Sequence, residues 1–118
     1  MNNSNQLTER LLDFTVRIIK LVNSLPKTNI GRHIAGQILR SGTSPGSNYE
    51  EACGAESRAD FVHKLGVVLK ELKETRFWLK VIYHTQILVP QRVDPLLKEV
   101  EELCAIIAKS IVTAKNKK

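Results

Sequence analysis

The sequence predicts an all-α protein: an up-down-up-down antiparallel four-helix bundle whose second helix is kinked at Pro45. Three observations predict it. Apolar residues recur at helical spacing along most of the chain, and only short connections separate the periodic segments. Leu, Ile, Val and Ala supply the apolar positions while aromatics make up only 5% of the residues, which favours packed helices over a sandwich or barrel. At 118 residues the chain fits one domain, 1–118, that can bury a core.

The first helix is placed at about residues 6–25. Leu7, Leu11, Phe14, Ile18, Leu21 and Leu25 alternate steps of four and three, a seven-residue repeat on one face. Pro26 ends it, because its ring clashes with the preceding turn.

The second helix, about 28–53, contains the least helical stretch of the chain, "LRSGTSPGSNYEEACG" at 39–54. Read as a loop, it leaves a stub too short to pair along two long neighbours. Read as helix, Ile30, Ile34, Gln37, Ser41, Ser44, Asn48 and Glu51 continue the heptad as one seam. Gly42 and Gly46 each cost about 1 kcal/mol relative to Ala there, which close approach of a neighbouring helix offsets. Pro45 loses its bond to the Ser41 carbonyl. A phosphate-binding loop needs GxxxxGK[ST] or GxGxxG after a strand, and neither the lysine nor a preceding strand is present.

The third helix, about 57–86, opens with Ser57 as cap and Asp60 three residues later. Phe61, Leu65, Val68, Leu72, Thr75, Leu79 and Ile82 form its stripe. The fourth, about 94–115, is placed with Asp94 as cap and Pro95 at the first helical position, and Val93, Leu96, Val100, Leu103 and Ile107 as its core side.

The central segment 37–79 is similar to a bacterial family of four-helix bundles, the 23S rRNA intervening-sequence proteins. The resemblance rests on Arg40-Ser41, Ser44-Pro45, Asn48-x-Glu50-Glu51-Ala52, Ser57, Asp60-Phe61, and the run from Lys70 and Glu71 through Glu74 and Thr75 to Trp78. It implies an all-helical fold, assembly as a ring-shaped homopentamer and no catalytic activity. The accessory proteins of diversity-generating retroelements resemble this fold and bind nucleic acid through a basic surface.

The residues carry little sign of an enzyme. The histidines are scattered, neither Cys53 nor Cys104 has a sequence-defined base, and the Glu-x-x-His pairs of a di-iron bundle are missing. No metal or cofactor is expected. Two lone cysteines, no long apolar run and no signal-peptide order predict a cytoplasmic protein with no membrane partner.

The net charge of +6 permits an acidic partner, RNA or DNA. The candidate nucleic-acid-binding residues are Arg10, Arg17, Lys20, Arg58, Lys64, Lys70, Lys73 and Lys80. Lacking a recognition-helix, zinc-finger or RRM pattern, they predict backbone-directed, salt-sensitive binding. A structural polar seam is expected from Arg40, Ser44, Asn48 and Glu51 with Glu71 and Glu74 of the third helix. Phe77 and Trp78 are assigned to core and subunit interface. The alternative reading is an assembly module without a nucleic-acid ligand.

Overall fold

The computed structural model describes residues 3–117. Four helices follow one another, α1 Asn3–Asn23, α2 Asn29–Cys53, α3 Arg58–Thr85 and α4 Pro90–Asn116, in a bundle 51 × 22 × 21 Å. Short connections make successive helices antiparallel neighbours. The broadest contacts are those of α2 with α3 and of α3 with α4. α1 packs on α2, touches α4 only lightly, and stands diagonally across from α3.

The core is aliphatic. Leu11, Phe14 and Ile18 from α1, Ile38 from α2, Leu65, Leu72 and Leu79 from α3 and Val100, Leu103 and Ile107 from α4 have no exposed surface. Each buried Leu or Ile contributes about 1.5–3 kcal/mol. Caps match the ends. Thr28 accepts from the Gly31 N–H and Ser57 from the Asp60 N–H, while Gln86, left-handed at φ 57°, closes α3.

The unusual stretch is helical throughout, and the α-helix continues across Pro45. Its glycines face α1: a Cβ on Gly42 would stand 2.7 Å from Ile18 Cγ2, and one on Gly46 3.4 Å from Thr15 Oγ1. Its hydroxyls fold back onto the helix. Thr43, Ser44 and Ser47 donate to the carbonyls of Leu39, Arg40 and Ser44. Ser41 and Thr75, both fully buried, meet at 3.0 Å, and Thr75 Oγ1 also lies 2.8 Å from the Glu71 carbonyl. This pairing satisfies two buried hydroxyls that would otherwise destabilise the core.

Two expectations are corrected. The buried side of α2 is Gly31, Ile34, Ile38, Ser41, Gly42, Pro45, Tyr49 and Ala52, so the seam drawn through Ile30, Gln37, Ser44, Asn48 and Glu51 lies beside the core. Ile30 is 65% exposed. The buried side keeps a seven-residue repeat, Gly31, Ile38, Pro45 and Ala52, but one residue later than the expected Ile30, Gln37, Ser44 and Glu51, and glycines serve as core positions where α1 comes close. The last helix begins at Pro90, with Val89 as cap residue, rather than after Asp94. Proline at 90 presets the first turn equally well, and the earlier start places Val93 wholly in the core. Pro95 lies inside α4, and Asp94 pairs with Lys98 at 3.5 Å.

Candidate nucleic-acid interface

On α3, Gly66, Lys70, Lys73, Phe77, Lys80 and His84 step by four and three residues and share one face. All are exposed, and the row spans roughly 27 Å at 1.5 Å per residue. The face is narrow because α2 and α4 flank it, and those flanks determine its charge. On the α2 side, Arg40 reaches Glu71 at 3.4 Å and also pairs with Glu74. The hydrogen bond that Arg40 donates to Glu74 holds its guanidinium above its usual pKa. On the α4 side, Arg76 meets Glu101 at 2.9 Å. The glutamates of α3 are thus drawn sideways. The outer row keeps Lys70, Lys73 and Lys80 with no carboxylate among its described residues.

The other candidate cations are placed differently. Lys64 sits at 2.9 Å from Asp60 one turn back. Their hydrogen bond holds the Asp60 carboxyl below the usual carboxylate range and the Lys64 ammonium above its own. Arg17 lies 3.6 Å from Asp13. Arg10 forms a clasp to α4, with Nη2 2.7 Å and Nε 3.1 Å from the two Glu99 oxygens and Nη2 3.1 Å from Glu102. Arg58 donates to the Lys117 carbonyl, and Lys20 is exposed near the end of α1. Arg10, Arg17 and Lys20 therefore stand on the helix diagonal to α3, so the candidates do not form one surface.

Of the polar-seam residues, Arg40, Glu71 and Glu74 come together across α2 and α3. Ser44 donates to the Arg40 carbonyl, whereas Asn48 is half-buried and Glu51 exposed, both outside this ion pair.

Of the pair assigned to core and subunit interface, Phe77 lies outside the core of this chain. It is 57% exposed and meets half-buried Trp78 edge-on at 5.1 Å, while Trp78 in turn meets His33 at 6.0 Å. Sequence reasoning also passed over His84 and Phe77 as members of the basic row. The signal was the spacing 66, 70, 73, 77, 80, 84, a second stripe opposite the apolar one.

Cys53 is exposed and Cys104 buried, where burial pushes its thiol up. Among the described residues, no three His, Cys, Asp or Glu side chains gather as a metal cage would require. No described helix is long and apolar enough to cross a membrane.

Comparison with known proteins agrees with this architecture. A crystal structure of a protein of unknown function from the S23 ribosomal protein family of Bacteroides thetaiotaomicron VPI-5482 superposes with a TM-score of 0.82. It is 34% identical, and the match covers 92% of this chain and 96% of that one. No curated protein matches the chain. The family model for the 23S rRNA-intervening sequence protein matches residues 3–109, nearly the whole bundle from α1 into the last turns of α4. The chain belongs to that family.

Proposed function

We propose that the chain is a non-enzymatic, cytoplasmic, self-assembling bundle that binds the phosphate backbone of RNA or DNA through the outer face of α3. The observation that carries this reading is the row Lys70, Lys73 and Lys80, from which the neighbouring Glu71 and Glu74 turn aside to share Arg40 on the flank. Lysines on one helix face can contact phosphates without selecting bases. Exposed Phe77 at the middle of the row supplies a ring on which an unpaired base can stack. The test is a salt titration of binding to a structured RNA. Affinity falling steeply with added salt supports the reading, and no binding at low salt removes it.

Self-assembly is supported by a second surface. Leu12, Val16 and Ile19 lie along the outer face of α1, with Leu12 63% exposed. Three large aliphatic side chains in one solvent-facing row suit a partner helix better than water. A ring joins each α1 face to a different face of the next copy, and because α1 is diagonal to α3 that contact leaves the lysine row of the chain contributing α1 uncovered. A ring of five copies, the number the resemblance implies, repeats the row in each. Native mass spectrometry is expected to show an oligomer that falls toward the monomer when Leu12 and Val16 are both replaced by Asn. A wild-type monomer would remove this part of the proposal.

A further inference from the structure

At one end of the bundle the start of α1, the end of α2, the start of α3 and the end of α4 surround an open cleft of about 790 Å³. The volume lies within the range of small-molecule sites, about 300–1,000 Å³. The cleft exists because small side chains, Ala52, Ala55, Ser110 and Ala114, stand where larger ones would fill the space between the helix ends.

Its floor is apolar, from Leu7, Tyr49, Phe61 and Ile106, and its rim is cationic, from Arg58, Lys109 and Lys117. No carboxylate is among the described lining residues. Arg10 stands at the α1 edge, but Glu99 and Glu102 already balance its charge. The Arg58 guanidinium is anchored by the Lys117 carbonyl, which ties the start of α3 to the end of α4 and holds two rim positions together. Lys109 lies about two turns earlier on α4.

We propose that this cleft binds a nucleoside monophosphate, its flat heterocycle against Phe61 and Ile106 and its phosphate on Arg58, Lys109 and Lys117. The same chemistry is offered by a free nucleotide and by the phosphorylated, unpaired end of a strand. An inorganic anion would leave the apolar floor unused. A simple acyl chain would bury the Gln6 amide and the Thr113 hydroxyl, which also line the cleft, without giving them partners. A heterocycle brings ring nitrogens and amino groups to those side chains while covering the apolar floor. The cleft shares no residue with the Lys70–Lys73–Lys80 row, so the two proposals stand or fall separately.

The experiment is calorimetric titration at low salt with AMP, ribose 5-phosphate, adenosine, decanoate and a short 5′-phosphorylated oligonucleotide. The proteins are the wild type, Lys109→Gln, Ser110→Leu and, as a control outside the cleft, Lys73→Gln. AMP is expected to bind at least tenfold more tightly than ribose 5-phosphate or adenosine. Lys109→Gln should weaken it about tenfold, as expected for one charge-assisted hydrogen bond. Ser110→Leu, which fills the cleft without changing charge, should abolish it, and Lys73→Gln should leave it intact. An oligonucleotide binding more tightly than AMP, with the same response to Ser110→Leu, would identify the strand end as the source; the reverse order would identify the free nucleotide. Equal binding of AMP and ribose 5-phosphate, tighter binding of decanoate, or AMP binding unchanged in folded Ser110→Leu would each overturn the proposal, as would no binding at millimolar AMP.

Discussion

Replacing Gly31 by Ala is expected to destabilise the protein by about 3 kcal/mol, at the upper end of the cost of overpacking. The reason lies in the turn between α1 and α2. A Cβ at position 31 would stand 2.0 Å from the Pro26 carbonyl oxygen, a backbone atom that cannot rotate away as a side chain can. Relief requires moving the turn. That shift would disturb both the bond from the Gly31 N–H to Thr28, 3.0 Å long, and the seat of buried Leu25 in the core. The melting temperature should fall by roughly 10 °C.

Gly36, five residues along the same helix, supplies the control. A Cβ there meets nothing within 4 Å, so Gly36→Ala only removes the helix penalty of glycine. It should stabilise by about 1 kcal/mol. Thermal melts followed by circular dichroism read both variants. Equal melting of Gly31→Ala and wild type would mean that the turn does not lie against α2 as described.

Exchanging Lys70, Lys73 and Lys80 together for Gln is expected to remove most nucleic-acid binding while leaving the fold intact, because all three side chains are exposed. Three phosphate contacts on a duplex contribute about 2.7 to the salt exponent, which amounts to a loss of about 40-fold between roughly 50 and 200 mM salt. The wild type should show at least that dependence, and the triple variant should lose this share of it. Three Gln substitutions at Arg10, Arg17 and Lys20 should do much less, since Arg10 and Arg17 already face carboxylates. If both triple variants weaken binding equally, the contribution of the α3 face is not special.

The sequence made local features legible and long-range ones obscure. The start of α3 was readable because Ser57 and Asp60 lie within one turn of each other, and cap geometry is local. The core side of α2 was not. The heptad was set one residue early, on Ile30 rather than Gly31, and so passed over Ile38, Pro45 and Ala52, because glycine carries no hydrophobic signal even where Gly42 meets Ile18. Asp94-Pro95 is the better helix start by local rules, since Asp caps and Val does not, yet the helix begins at Pro90 with no side-chain cap at Val89.

The cationic face was half-legible. Each lysine of the row was visible, but not which cations were already spoken for. Arg10 and Glu99 are far apart in the chain, and their pairing depends on how α1 and α4 lie together. The end cleft was hidden for the same reason, being assembled from four helix ends.

The light contact between α1 and α4 gives the bundle an uneven order of opening. α3 is held on both sides, by α2 and by α4, whereas α1 leans mainly on α2 and is tied to α4 by the Arg10 clasp. Local unfolding follows the packing that resists it, so in the monomeric Leu12→Asn, Val16→Asn variant backbone amides of α1 are expected to exchange with deuterium before those of α3. Protection of α1 equal to that of α3 would contradict this. A chain that breathes in this way separates α1 from α4 while α2, α3 and α4 stay folded, and the lysine row rides on the helix that moves last.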